Sequence, residues 1–150
     1  LSPNLKDAEE INSLLFDMNK LFEKFVTYQL KDKYNLPIET QEQKYYLIRQ
    51  DKFILKPDIV IRRNNKIYIL DTKWKKISQD VKDISQADLY QMLSYATVYR
   101  VKENKDIELY LIYPKTDKFK NPMKFNFNDF YNTILILFPF DIKRYILKKL

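Results

Sequence analysis

The sequence predicts an α/β domain in which helices cover both faces of a central β-sheet. Residues 57–63 and 66–72 are rich in Ile and Val and are apolar on both faces, as strands at the centre of a helix-covered sheet are. Apolar residues recur at helical spacing over 5–33 and again over 83–100. A single domain over residues 1–150 accommodates these elements, because 45% of the chain is hydrophobic.

The two predicted helices each have an apolar stripe. In the first helix the stripe consists of Leu14, Leu15, Met18, Leu21, Phe22, Phe25 and Val26. In the second helix the stripe consists of Leu89, Met92, Leu93 and Ala96. A short basic helix is expected at 141–150, where the chain ends in lysines and leucine. The stripes indicate which side of each helix packs on the sheet.

Further strands are expected outside the central pair. Their positions are 44–48, 107–113, which Pro114 ends, and 133–138. Residues 115–122 read as a polar loop. The chain has neither internal repeats nor a low-complexity linker, so the elements belong to one domain.

Three residue types that carry much of protein chemistry are missing, since the chain has no Cys, no His and no Gly. Thiol nucleophiles, thiolate or His-bound metals and His general bases are therefore excluded. Glycine-rich phosphate loops are excluded as well, because they need glycine for close backbone approach. Carboxylates that bind a hard cation such as Mg²⁺ become the leading option.

The chain is basic, with 27 Lys and Arg against 20 Asp and Glu and a net charge of +7. A basic surface favours a polyanion such as nucleic acid or an anionic membrane. A basic but merely soluble protein is the alternative reading of this charge. The longest apolar run, at 134–138, is too short to span a bilayer. The chain begins with Leu1 rather than with Met. We therefore expect a fragment of a longer chain.

Two acids lie inside apolar strand-like runs, in the stretch "KPDIVIRRNNKIYILDTKWKK". If Asn64 and Asn65 form a two-residue hairpin turn, pairing outward from that turn places Asp58 opposite Asp71. Their Cβ atoms would then be about 5 Å apart. Lys73 would share their face about 7 Å along the strand. Two opposed like charges destabilise a sheet, and a divalent cation between them reverses that effect.

The alternative is that Asp58 and Asp71 mark the strand ends, with Lys73 as a surface partner. One such acid would favour that reading. Two opposed acids with a lysine on the same face favour a metal site, and Pro57 fits a strand start that tolerates a missing N–H.

The residues Pro57-Asp58, then twelve intervening residues, then Asp71-Thr72-Lys73, resemble the PD-(D/E)xK nuclease signature. Glu23, in "LFEKF", matches the glutamate that the N-terminal helix of that superfamily often supplies. Gln91 to Tyr95, "QMLSY", resembles the QxxxY element of its RecB-like branch. The resemblance implies the restriction-endonuclease-like PD-(D/E)xK fold, a mixed β-sheet flanked by helices.

Within the superfamily, "LKPDIVI", "ILDTKWK" and "DLYQMLSYA" look most like the McrC family. Members of that family are nuclease subunits of McrBC-type modification-dependent restriction systems. The resemblance implies a cytoplasmic, Mg²⁺-dependent DNA endonuclease, a C-terminal domain of its chain, that works with a GTPase motor of McrB type. A dimer is one arrangement that would allow double-strand cleavage, and no membrane partner is expected.

The resemblance also assigns roles to residues. Asp58 and Asp71 would bind Mg²⁺, for which Mn²⁺ would substitute, with the Thr72 carbonyl as a plausible third ligand. Glu23 would hold a second ion or a metal-bound water. The alternative is an ordinary exposed helix acid paired with Lys20 or Lys24.

The remaining assigned residues surround the metal ligands. Lys73 would assist the attacking water or stabilise phosphate charge, and beside two acids it should stay protonated. Asp88, Gln91 and Tyr95 share one helix face, from which Gln91 and Tyr95 could position Lys73 or a DNA phosphate. A solvated face with a buried tyrosine is the alternative. The residues expected to touch the DNA backbone are Trp74, Lys75 and Lys76.

Two other functions stay open. One is a nuclease of the same superfamily that works in repair or in a mobile element without a motor. The other is a basic nucleic-acid-binding module that does not cleave. The complete set of Asp58, Asp71 and Lys73 argues against the second.

Overall fold

The computed structural model describes residues 4–143, except for the side chain of Phe16. The elements follow the chain in the order α1 Leu5–Tyr34, β1 Ile38–Thr40, β2 Tyr46–Ile48, β3 Lys52–Ile54, β4 Ile59–Arg63, β5 Lys66–Thr72, α2 Gln86–Glu103, β6 Asp106–Pro114, β7 Met123–Asn126 and β8 Ile134–Phe140. A single 3₁₀ turn at Val81–Asp83 precedes α2. From residue 144 onward, the helix expected at 141–150 lies outside the described residues.

Six strands form one mixed sheet in the order β1-β4-β5-β6-β8-β7. The central strands β5, β6 and β8 are parallel, and the outer pairs are antiparallel. Helix α2 connects β5 to β6, since parallel neighbours need a crossover. Strands β2 and β3 form a separate hairpin. The prediction of an α/β fold with a mixed sheet and flanking helices is confirmed.

The turn between β4 and β5 sets the register of the central hairpin. Asn64 and Asn65 have φ angles of 53° and 60°, the left-handed conformation that a type I′ turn requires. Arg63 pairs with Lys66, and the ladder continues to Ile59 opposite Leu70. The register predicted from the two asparagines is therefore confirmed.

Each face of the central hairpin is buried against a different helix. Val60, Ile67 and Ile69 belong to the core cluster that contains Met92 and Ala96 of α2. On the opposite face, the second cluster joins strand residues Ile59, Ile61 and Leu70 to helix residues Phe22 and Val26 of α1. Burial on both faces explains the continuous apolar runs of these strands.

Part of the stripe predicted for α1 is wrong. The C-terminal half of this helix packs on the sheet through Phe22 and Val26, which are 1% exposed. Leu14 and Leu21 are 63% and 45% exposed. A 30-residue helix is longer than the strands it crosses, so helical periodicity alone does not say which turns find a partner.

The buried face of α2 also differs from the prediction. It consists of Met92, Tyr95, Ala96 and Tyr99, and Leu93 is only half-buried. Tyrosine can enter a core when its hydroxyl finds a partner, and the Tyr99 hydroxyl donates to Glu42 Oε2 at 2.7 Å. The helix begins after Ser85, whose hydroxyl caps Asp88 N–H, rather than at residue 83.

Three short strands were not predicted, namely β1, β3 and β7. Each has three or four residues, which is too few for a period-two pattern to stand out. Strands β1 and β7 lie at the two edges of the sheet. Their conformation depends on pairing with β4 and β8, which only the folded chain provides.

Arg62 joins the sheet to α2 and to the segment after β1. Its guanidinium makes a bidentate contact with Glu103 at 2.8 and 2.9 Å, and a further contact with Glu42 at 3.1 Å. We expect Arg62→Met to lower the free energy of unfolding by roughly 2 kcal/mol, because the half-buried Glu103 carboxylate loses its bidentate partner and Glu42 loses one of its two donors, keeping the Tyr99 hydroxyl. Urea unfolding measures this loss. The adjacent, exposed Arg63→Met is the matched control, and equal losses for both variants would contradict the prediction.

Candidate metal and active site

The end of the central hairpin brings the two acids to one level. Asp58 and Asp71 are the next residues outward from the Ile59–Leu70 pair, so they stand at the same end of adjacent antiparallel strands. Asp71 is the last residue but one of β5 and is only 4% exposed, whereas Asp58 is half-buried. The register set by the Asn64-Asn65 turn therefore places the two acids at the same end of the hairpin.

Asp58 is held by donors on both of its oxygens. Thr72 donates its backbone N–H and its hydroxyl to Asp58 Oδ2 at 2.8 and 3.0 Å. Gln41 donates from Nε2 to Asp58 Oδ1 at 3.0 Å. These bonds fix the orientation of the carboxylate, as the partners of metal-binding acids commonly do.

Gln41 also links Asp58 to the first helix. The same Nε2 donates to Glu23 Oε1 at 2.6 Å, so one amide nitrogen bridges two carboxylates. Glu23 follows the buried Phe22 on α1, which places it at the edge of the helix–sheet contact. Nothing in the sequence pattern points to Gln41. No spacing relates it to the motif, because its position depends on β1 pairing with β4.

Lys73 lies among three polar side chains. Its Nζ is 2.7 Å from Asp71 Oδ2 and 3.3 Å from Asp88 Oδ1, and it donates to Gln91 Oε1 at 3.4 Å. Asp88 and Gln91 come from the first turns of α2, three residues apart on one face. The structure thus brings Gln91 to Lys73. The structure also places Asp88 beside Lys73. The three-residue spacing of Asp88 and Gln91, which puts both on one helix face, is the sequence pattern that relates them.

Burial and repulsion between like charges raise the pKa values of Asp71 and Glu23. Burial first, and the charge of Asp58 second, raise the pKa of Asp71 to about 7, although Lys73 acts in the opposite direction. Burial and Asp58 also raise the pKa of Glu23, against the hydrogen bond from Gln41. Additional positive charge between these carboxylates would stabilise their ionised forms.

Lys73 remains protonated in this environment. Burial lowers the pKa of Lys73, but the charges of Asp71 and Asp88 outweigh that effect, so the net shift is upward. A lysine with a raised pKa is a poor general base near neutral pH. Its geometry suits electrostatic stabilisation of an anion.

Tyr95 lies in the core rather than on a solvated face. It is 2% exposed and packs in the cluster with Met92 and Ala96. Burial raises the pKa of its phenol, as do the charges of Asp71 and Asp58, so the hydroxyl stays neutral. Of the residues predicted to share one face, Gln91 is exposed whereas Tyr95 is part of the buried face of α2, so the tyrosine is buried as the alternative interpretation of this face had it.

The three residues after Lys73 have different surroundings. The Trp74 ring packs edge-on against Phe22 at 5.5 Å, and its backbone N–H donates to Asn19. Trp74 therefore contacts the core of the protein. Lys75 and Lys76 are exposed, and the Lys75 ammonium donates to the Asp83 carbonyl at 2.9 Å.

The side chains at this end of the hairpin supply two of the oxygen ligands that a hard cation needs. Asp58 and Asp71 supply carboxylate oxygens, the ligands that Mg²⁺ prefers, and their repulsion favours a cation between them. Within residues 4–143, no three His, Cys, Asp or Glu side chains are grouped closely enough to hold a metal ion. The pair would therefore need water or a backbone carbonyl, such as that of Thr72, to complete the coordination.

Removing the Thr72 hydroxyl tests whether the held orientation of Asp58 matters. We expect Thr72→Val to weaken Mn²⁺ binding roughly tenfold, because a hydrogen-bond partner of a metal ligand is lost while the backbone donor remains. Calorimetric titration measures the affinity. Thr97→Val, on the exposed side of α2, is the matched control. Unchanged affinity in Thr72→Val would show that Thr72 does not support the site.

In the part of the chain from residue 4 to residue 143, neither helix has the length and apolar character that a bilayer crossing needs. No curated protein matches the chain. Among solved structures, a chain of the refined half-complex from a tetradecameric assembly of Thermococcus gammatolerans McrB AAA+ hexamers with bound McrC has a similar fold, with a TM-score of 0.60 and 22% identity. The match covers 83% of this chain and 28% of that one, so this chain spans little more than a quarter of its length.

A family model gives the relationship directly. The model of the McrBC 5-methylcytosine restriction system component matches residues 2–114, which include the acids, Lys73 and both helices. This range covers most of the chain and confirms the resemblance to the McrC family that the motifs carry. The chain therefore belongs to the McrBC 5-methylcytosine restriction system component family.

Proposed function

We propose that this chain is the cleavage domain of a McrBC-like modification-dependent restriction system, a PD-(D/E)xK endonuclease that hydrolyses DNA phosphodiester bonds with Mg²⁺. Residues 1–150 would constitute that single nuclease domain. The observation that carries the proposal is the joint placement of Asp58, Asp71 and Lys73 at one end of the central hairpin. The family match supports the restriction system as its setting.

Asp58 and Asp71 would hold the cation, with the Thr72 carbonyl as a further ligand. When bound, Mg²⁺ neutralises charge on the scissile phosphate and lowers the pKa of water. Thr72 and Gln41 orient Asp58 through the bonds to its two oxygens. Burial of Asp71 keeps bulk water away from one side of the pair.

Lys73 would stabilise negative charge on the phosphate and orient the attacking water. It stays protonated because Asp71 and Asp88 are beside it, so it donates hydrogen bonds rather than accepting a proton. Gln91 holds the ammonium from the α2 side. Tyr95 would support the site from the core, since it belongs to the same buried cluster as Met92.

The partners of the proposed nuclease are DNA and a GTPase motor of McrB type. The net charge of +7 favours the phosphate backbone, and the exposed Lys75 and Lys76 follow the site directly. Recognition of the modified base and GTP hydrolysis would belong to the motor, and paired cleavage domains would cut both strands. The solved relative forms an assembly of McrB AAA+ hexamers with bound McrC.

A non-cleaving nucleic-acid-binding module would explain the charge alone. It would not explain why the buried Asp71, whose raised pKa reflects a costly burial of charge, stands opposite a second carboxylate. A motor-independent nuclease would use the same residues. Such a nuclease would cleave DNA without GTP, which distinguishes it from the cleavage domain of a McrBC-like system.

Reconstitution tests the proposal. The complete chain, combined with its McrB-type GTPase, is expected to cleave DNA that contains 5-methylcytosine only when GTP and Mg²⁺ are both present. Asp58→Asn should abolish cleavage, whereas Asp117→Asn, in an exposed loop, should retain it. Cleavage without GTP would favour the motor-independent nuclease. Full activity of Asp58→Asn would refute the assignment of the site.

A further inference from the structure

We infer that Gln41 is a positioning residue that occupies the gap between Glu23 and Asp58 and so limits the site to one divalent cation, bound by Asp58 and Asp71. This inference rests on the proposed function and deepens it. It assigns to an amide side chain the task of keeping Glu23 out of direct coordination.

The hydrogen bonds of Gln41 account for both protons of its amide group. A primary amide has two N–H bonds, and Nε2 lies 2.6 Å from Glu23 Oε1 and 3.0 Å from Asp58 Oδ1. Each proton therefore has one carboxylate oxygen as its acceptor. A cation bridging Glu23 and Asp58 would have to take the place of this nitrogen.

The backbone fixes Gln41 in this position. Its N–H donates to the Asp58 carbonyl at 3.0 Å, so the residue is anchored to the same residue that its side chain contacts. Its φ angle is 52°, a left-handed conformation that is uncommon for a residue other than glycine and that ends β1 at this point. Such conformations persist where surrounding contacts impose them, and they concentrate at functional sites.

Charge explains why an amide suits this gap. The Nε2 group satisfies two anions without carrying a full charge, so it separates Glu23 from Asp58 and leaves the charge of Asp71 to be compensated by Lys73 and a cation. Burial and Asp58 raise the pKa of Glu23, and Gln41 acts against that rise. Among residues 4–143, the acids do not form a cluster of three that could share a metal.

Changing the amide to a carboxylate tests the inference. Gln41→Glu keeps the shape of the side chain and replaces the bridging nitrogen with an oxygen, which would join Glu23 and Asp58 into a three-carboxylate site. We expect the unaltered protein to bind one Mn²⁺ ion by calorimetry and Gln41→Glu to bind two. The paired ions, about 4 Å apart, would broaden the Mn²⁺ electron paramagnetic resonance spectrum by spin coupling. Gln43→Glu, which adds the same charge at an exposed position of the same segment, should still bind one.

A second variant covers the case in which Gln41→Glu does not fold. Glu23→Gln should bind one Mn²⁺ ion with an affinity within about tenfold of the unaltered protein, the lower end of losses seen for residues that act outside the ligand set. Loss of binding in Glu23→Gln would make Glu23 a direct ligand and overturn the inference. An unchanged count of one in folded Gln41→Glu would also overturn it.

The behaviour of the unaltered protein separates the two proposals. Two ions bound to the unaltered protein would overturn the role of Gln41 and leave the proposed nuclease intact. Absence of Mn²⁺ binding by the unaltered protein would overturn both. The spin-coupled spectrum is a readout that a purely structural role of Gln41 would not produce.

Discussion

Asp71→Asn is expected to abolish metal binding while leaving the metal-free protein at least as stable as the unaltered chain. Asp71 is 4% exposed and stands opposite Asp58, so its charge destabilises the metal-free hairpin, and an asparagine of the same shape removes that repulsion. At a Mg²⁺ concentration 100 times the dissociation constant, binding adds about 2.7 kcal/mol to the free energy of unfolding. For a chain of this size that gain raises Tm by roughly 5–10 °C.

Thermal unfolding with and without Mg²⁺ measures both effects. The unaltered chain should gain stability from the metal, and Asp71→Asn should gain none. Asp51→Asn, at an exposed turn with a φ angle of 59° that asparagine tolerates, is the matched control and should respond like the unaltered chain. A metal-induced rise in Tm for Asp71→Asn equal to that of the control would remove Asp71 from the site.

Lys73→Gln is expected to separate catalysis from metal binding. Loss of the ammonium removes a donor for the charge that develops on the phosphate, so the cleavage rate should fall by roughly 10²–10³-fold. Metal affinity should be retained or should rise, because Lys73 no longer competes for Asp71 Oδ2, to which it lies at 2.7 Å. The two aspartate variants lose both properties, which distinguishes a ligand from a residue that acts on the substrate.

The cleavage rate of Lys73→Gln is measured with the complete restriction complex, and its affinity for Mn²⁺ is measured by calorimetry. Lys102→Gln, in the exposed last turn of α2, removes the same charge away from the site and should leave both properties unchanged. If Lys73→Gln cleaved DNA within tenfold of the control, the electrostatic role would be disproved. If it also lost the metal, Lys73 would serve mainly to hold Asp71 in place.

Local features of the sequence were sufficient to predict the central hairpin. Two asparagines that tolerate left-handed conformations define its turn, and the alternation of side chains then carries the register outward to Asp58 and Asp71. The central strands β5 and β6 and the helices were also predictable, because long apolar runs and helical periodicity are strong signals over many residues. The edge strands were not, since short segments take their conformation from their neighbours.

The sequence by itself determined the pair of opposed acids, the lysine beside them and the central sheet with a helix over each face. Only the tertiary structure decided that Gln41 bridges Glu23 to Asp58, that Asp88 joins Gln91 at Lys73, and that Tyr95 is buried. The physical reason is the range of the interactions involved. Turn preference and side-chain alternation act between neighbours along the chain, whereas these contacts join segments whose proximity depends on how the helices pack on the sheet.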